Sequence, residues 1–191
     1  SWAYGSVDNS EYTRIPGWAL ETGNVFAMPE GVSFEEAALA EPLACVINGQ
    51  EKVGVERGDA VAIPGSGPIG LLHVKVARLS GARRVIVSEP DASRREAALM
   101  AGADVVVEAF DVSDRALTGS RIRALDAARP LDLVIVNAGV NGGHPDGAVE
   151  TEEVAFETVD INLNGALNVA LPCVTLLGAR GAGQSALVSS L

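Results

Sequence analysis

Residues 60–89 read AVAIPGSGPIGLLHVKVARLSGARRVIVSE. A short apolar run, a glycine-rich turn, a helical pattern, a second β-branched run and a carboxylate follow one another. That order is the fingerprint of a dinucleotide-binding βαβ unit. Gly65, Gly67 and Gly70 let the backbone turn tightly, approach a diphosphate closely, and pack the following helix on the strand. Pro68 stands where a first helical residue has no use for an N–H, so the helix begins there with free amides aimed at the turn. Ser66, Pro68 and Ile69 complete the candidate loop. Ile69, Leu72, Val76 and Leu79 recur at helical spacing and are expected to face the sheet, and Gly81 ends the helix. Glu89 closes the second strand, 24 residues after Gly65. An acidic side chain in that place accepts hydrogen bonds from the adenosine ribose hydroxyls and repels a 2′-phosphate, which favours NAD over NADP. Arg94 and Arg95, one turn further on, weaken that preference. Pro64 removes a ladder donor from a central strand, so the strand is expected to stop at Ile63.

The 191 residues give room for one full domain and a partial one, and the 48% apolar content with only 4% aromatics suits a sheet packed with Val, Leu, Ile and Ala. A formal charge of −11 argues against nucleic acid and against an anionic membrane surface as partners. Backbone amides can still hold an anionic cofactor. Cys45 and Cys173 lie far apart with no metal-ligand pairing, so both read as small buried apolar residues in a reducing cytoplasm. Neither a signal peptide nor an 18-residue apolar run stands out, and the chain reads as a fragment.

Ahead of the βαβ unit, residues 1–32 are polar and glycine-containing, with short strands expected at Glu11–Pro16 and Asn24–Met28. Ser33 followed by Glu36 is a capping box, which predicts a helix from Phe34. Pro42 interrupts it, and Leu43–Val53 continues as a second helix. Glu41 precedes that proline and reads either as a solvated helix-end acid or as a functional one. Beyond the unit, strands are expected near 104–107, 132–136 and 184–190, with helices near 91–101, 113–128 and 152–177. The resulting fold class is α/β: a truncated doubly wound parallel (Rossmann) sheet with a helical and irregular N-terminal lead-in.

The EPLAC helix (Glu41–Cys45) and the GSGPIGLLH turn (Gly65–His73) together make about residues 3–108 resemble the medium-chain zinc-type dehydrogenases of the sorbitol and threonine dehydrogenase group. That resemblance implies a place for Glu41 near a catalytic zinc and its water. The family's cysteine and histidine zinc ligands have no counterpart here, so zinc is not supported by this chain, and His73 reads as a packed histidine. From DVSD (Asp111–Asp114) onward, the NAG turn (Asn137, Ala138, Gly139), Asn162 and LVSSL (Leu187–Leu191) resemble short-chain dehydrogenases. There the resemblance implies that Asp111 contacts adenine, that the NAG turn steadies the sheet beside the nicotinamide ribose, and that Asn162 and Ser190 belong to the catalytic set. The tyrosine and lysine of that set are absent, since no tyrosine follows Tyr12 and no lysine follows Lys75.

The domain division is therefore expected as a medium-chain remnant at 1–56 and a Rossmann domain at 57–191, with a joint between family types at 107–111. The expected activity is NAD-dependent hydride transfer on a polyol or a secondary alcohol or ketone. Such families commonly form dimers or tetramers, so a homo-oligomer is admitted. A dinucleotide-binding module without turnover, a fragment or chimera lacking a complete catalytic set, is the alternative. A methyltransferase is disfavoured by the NAG and serine matches.

Overall fold

A computed structural model describes residues 14–108, 111–141 and 150–188, and the chain divides into two compact units, residues 1–40 and 41–191. The first unit holds α1 (Gly17–Glu21) and α2 (Phe34–Ala37). The capping box forms as expected: the Ser33 side chain accepts the Glu36 N–H at 3.2 Å while Glu36 Oε2 accepts the Ser33 N–H at 2.9 Å. The strands expected in the lead-in do not form among its described residues. Asn24–Met28 is irregular, Gly17–Glu21 is helical, and Glu11–Thr13 lie outside the described residues.

The second unit opens with α3 (Ala40–Lys52), which starts three residues ahead of the expected Leu43, because Pro42 is tolerated in a first turn, where its missing N–H has no intrahelical partner anyway. There follow β1 (Ala60–Pro64), α4 (Pro68–Leu79), β2 (Arg84–Glu89), α5 (Ala92–Ala101), β3 (Val105–Glu108), α6 (Arg115–Ala128) and β4 (Leu133–Val136). The last part is α7 (Glu152–Val159), a π-helical segment (Asp160–Gly165), α8 (Ala166–Arg180) and β5 (Gln184–Leu187). The strands form one parallel sheet in the order β3-β2-β1-β4-β5, so the order reverses between β1 and β4. In a doubly wound sheet the ligand crevice opens at that switch point, beyond the carboxyl ends of the strands.

Strand alternation builds two cores from one sheet. Val61, Ile63, Val85, Val87, Leu133 and Ile135 point to the face covered by α4 and α5, where they meet Val74, Ala77 and Ala98. Ala62, Ile86, Val134 and Val136 point to the opposite face, against Ile122 of α6 and Val169, Cys173 and Leu177 of α8. Both faces are apolar, as a parallel sheet with helices on each side requires.

Three expectations are corrected here. The buried face of α4 is Gly70, His73, Val74, Val76 and Ala77, and Leu79 is 87% exposed, so the helix turns a different side to the sheet from the one expected. β1 runs through Pro64, which pairs with Ser88. The Asp132 N–H donates to Ala60 O and the Gly65 N–H to Ser88 O, so Pro64 presents its nitrogen toward β4, where the ladder ends at Ala62. No donor is therefore missed. Cys173 is buried, but Cys45 is exposed on α3.

The expectation of no 18-residue apolar run is also corrected. The continuous helix Glu152–Arg180 contains an 18-residue window of mean hydropathy 1.4 with 28% of that window buried. Its buried side is the one that packs on the sheet.

Candidate functional site

A cavity of about 530 Å³ opens at the switch point. Its walls come from the turn after β1 (Gly65, Gly67, Pro68, Ile69), the end of β2 (Ser88, Glu89), Asp111 beyond β3 and the turn after β4 (Asn137, Ala138, Gly139). Nine of the eleven candidate cofactor residues therefore line one space. The other two, Ser66 and Gly70, shape it from behind.

The β1 turn is rigid for identifiable reasons. Gly65 has φ +89°, a left-handed conformation that a side chain disfavours, and its carbonyl accepts Asn137 Nδ2 at 3.3 Å, tying the two turns together. A Cβ on Gly70 would stand 2.1 Å from Gly65 O, so only glycine lets α4 begin this close to the strand end. Gly67 differs. Its φ of −63° suits any residue, and a Cβ there would meet nothing within 4 Å. The protein itself makes no demand for glycine at 67. The space a side chain would fill is the cavity, in front of the first turn of α4, where the Ile69 and Gly70 amides have no intrahelical acceptor.

Glu89 is 4% exposed and lines the same cavity. Its Oε2 accepts the Ser66 N–H at 2.8 Å and the Ser66 hydroxyl at 3.1 Å, and its Oε1 accepts the Asp91 N–H at 3.1 Å. The carboxylate thus holds the glycine turn in place, and Oε1 retains acceptor capacity. Arg94 lines the cavity, whereas Arg95 donates to Glu89 O at 3.0 Å and is not among the cavity's walls. Asp111 is exposed, and its Oδ1 accepts the Ser113 N–H at 2.9 Å in a local turn.

Of the catalytic candidates among the described residues, Asn162 stands beside the turn after β4 and Glu41 in a second cavity. Asn162, in the π-helical segment, bridges the backbone of Val140: Oδ1 accepts its N–H at 2.7 Å and Nδ2 donates to its carbonyl at 2.8 Å. It thereby fixes the turn after β4. Ser190 lies outside the described residues, as do Ser189 and residues 109 and 110 of the expected joint. Glu41 stands in a second cavity of about 730 Å³ between α3, α4 and the ends of β4 and β5. Its Oε1 accepts the Cys45 thiol proton at 3.2 Å, which raises the thiol above its ordinary range. The two cavities share Ile69 and Val188 as walls. His73 is buried there, with Gln50 Nε2 3.1 Å from its Nδ1 and 2.9 Å from its carbonyl, and burial pushes its pKa down to about 4. Burial likewise pushes the Cys173 thiol up to about 12.

Sequence reasoning missed Val112, Val140, Asn141, Ile161 and Val188 as cavity walls. All but Ile161 follow strand ends, which was their only available signal. Among the described residues no group of three His, Cys, Asp or Glu side chains is placed to hold a metal ion, so those residues do not fit a zinc centre.

Residues 68–144 match the family model described as zinc-binding dehydrogenase. Sorbitol dehydrogenase of sheep (Ovis aries) is 30% identical over 146 residues, which are 72% of this chain and 41% of that protein. L-threonine 3-dehydrogenase of Pyrococcus abyssi is 41% identical over 102 residues, 53% of this chain and 28% of that one. This chain thus spans less than half the length of either relative. Among solved structures, one described as a zinc-binding dehydrogenase from Sinorhizobium meliloti, bound to NADP, is 31% identical with a TM-score of 0.52, covering 71% of this chain and 36% of that one. Another, described as a short-chain alcohol dehydrogenase from the same species, is 26% identical with a TM-score of 0.59, covering 72% and 56%. The chain combines zinc-type medium-chain and short-chain dehydrogenase features on one Rossmann sheet.

Proposed function

We propose that residues 41–191 bind a nicotinamide dinucleotide and serve an oxidoreductase that acts on a polyol or another secondary alcohol or its ketone. One observation carries the reading: Gly67 is a glycine for which the protein has no steric or conformational need, at the mouth of a helix N-terminus facing the cavity. A diphosphate there would take hydrogen bonds from the Ile69 and Gly70 amides and sit on the positive end of α4. Glu89 Oε1 would accept a ribose hydroxyl, and its fixed negative charge supports NAD over NADP, although one relative is bound to NADP. Asp111 would lie at the adenine end, and the Asn137–Gly139 turn at the nicotinamide end.

When bound, the cofactor supplies the hydride chemistry. This chain's residues bind and orient it. The second cavity, which shares Ile69 and Val188 as walls with the first, is the place for the alcohol, with the Glu41 carboxylate on its wall. Ser190 and Asn162 belong to this proposal as catalytic-set members, as do the division at 56/57 and a cytoplasmic setting.

A second reading is a dinucleotide-binding module without turnover. Calorimetric titration with NAD⁺, NADP⁺ and S-adenosylmethionine separates the binding classes. Tight S-adenosylmethionine binding would overturn the dinucleotide assignment. Following the absorbance of reduced cofactor with sorbitol and simple secondary alcohols separates enzyme from module: sustained turnover without added metal or partner chain would sink the module reading.

A further inference from the structure

Between β3 and α6, the carbonyls of Asp111, Val112 and Ser113 each accept a hydrogen bond from a helix side chain. The Thr118 hydroxyl, on α6, donates to Asp111 O at 3.2 Å. The Asn168 amide, on α8, donates from Nδ2 to Val112 O at 2.9 Å and reaches Ser113 O at 3.3 Å. Gly165, three residues before Asn168, makes room for the same segment, because a Cβ there would stand 2.6 Å from Val112 Cγ2. Thr118 and Val112 are both buried.

Asparagine is a weaker helix former than alanine or leucine, so its place in the interior of α8 brings that helix nothing. Its amide serves the segment after β3 instead. Asp111 and Val112 are walls of the cavity at the switch point, so whatever fixes their backbone fixes that wall. Ser113 carries the effect to a side chain: its carbonyl takes Asn168 Nδ2, and its N–H donates to Asp111 Oδ1 at 2.9 Å. The Asp111 carboxylate is thus set from α8 and keeps acceptor capacity toward the cavity.

We infer that Asn168, helped by Thr118, is a positioning residue that selects the base of the bound dinucleotide, by holding the Asp111 carboxylate where the adenine amino group donates to it. The inference rests on the placing of Asp111 at the adenine end. A carboxylate only accepts, so it favours a base with an amino group at that position and disfavours one with a carbonyl there. The selection needs a fixed acceptor. A carboxylate free to turn would accept instead from the ring N–H that hypoxanthine carries beside its carbonyl, and the two bases would bind alike.

The test is calorimetric titration of the full 191-residue chain with NAD⁺ and with nicotinamide hypoxanthine dinucleotide, in which a carbonyl replaces the adenine amino group. The wild type should prefer NAD⁺ about tenfold. Asn168→Ala should bring the two affinities within about threefold of each other, mainly by weakening NAD⁺, with the helical circular dichroism unchanged. If Asn168→Ala fails to fold, the near-isosteric Thr118→Val decides, with a smaller shift in the same direction. A role in packing alone would weaken both dinucleotides equally and leave their ratio unaltered. That result, beside a wild type that prefers NAD⁺, would overturn the inference and leave the nucleotide reading standing. A wild type that binds both dinucleotides equally would remove Asp111 from the adenine end and the inference with it, and one that binds neither would overturn the nucleotide reading itself.

Discussion

Replacing Gly67 by alanine separates what the protein needs from what a ligand needs. The backbone at 67 has φ −63° and ψ 179°, which alanine adopts freely, and the new Cβ would touch nothing within 4 Å. Restricting the unfolded chain should stabilise the variant by about 0.4–1 kcal/mol. Alanine is a poorer N-cap than glycine by a comparable few tenths to about 1 kcal/mol. The two offset, and the urea midpoint should move by less than the equivalent of about 1 kcal/mol. Binding should respond differently. The methyl occupies the approach to the Ile69 and Gly70 amides, and losing one hydrogen bond to a charged phosphate costs about 1.5–3 kcal/mol. At about 1.4 kcal/mol per decade, NAD⁺ affinity should fall between tenfold and a hundredfold or slightly more. Titration calorimetry and urea unfolding on the same preparation give both numbers. An alanine variant that binds NAD⁺ as well as the wild type would refute the reasoning that this glycine is kept for the ligand.

Gly70→Ala should show the opposite balance: its Cβ falls 2.1 Å from Gly65 O, so despite a helix-propensity gain of about 1 kcal/mol it should destabilise through overpacking of about 1–3 kcal/mol, read from the urea midpoint. Glu89→Arg should lose the Ser66 and Asp91 backbone contacts and shift the affinity ratio toward NADP⁺, and an unchanged ratio by calorimetry would count against the ribose role. His73 has a folded pKa pushed down to about 4 from an ordinary value of 6.5, so the unfolded chain takes up the proton first as pH falls. Stability from this group is full above pH 6.5 and is lost between there and pH 4, by at most about 3 kcal/mol, and His73→Leu should flatten the pH dependence of the urea midpoint over that window.

The βαβ unit was legible because three local signals agree there: strand composition, a glycine-proline turn and helical spacing all place β1, α4 and β2 within a residue of where they lie. The rotation of α4 was not legible. Leu72 and Leu79 are more apolar than Gly70 and Ala77, yet Gly70 and Ala77 take the buried face with His73, Val74 and Val76, and at Gly70 the strand end comes too close for any side chain. Likewise the sequence marks Glu89 as an acid at a strand end, and only the fold shows that it clamps Ser66. Cys45 misled for a related reason: burial is common for the residue type, but α3 turns this position outward, where the thiol meets Glu41. Pro64 read as a strand breaker because the direction of its nitrogen depends on register, and that is set by pairing with β2 and β4 rather than by neighbours in sequence.

A crystal structure of the chain grown with NAD⁺ tests the nucleotide assignment most directly. The expected density places the diphosphate over Gly67 within hydrogen-bond distance of the Ile69 and Gly70 amides, with a ribose hydroxyl on Glu89. A dinucleotide bound elsewhere, or a diphosphate lying away from that turn while Glu89 contacts only Ser66 and Asp91, would contradict it.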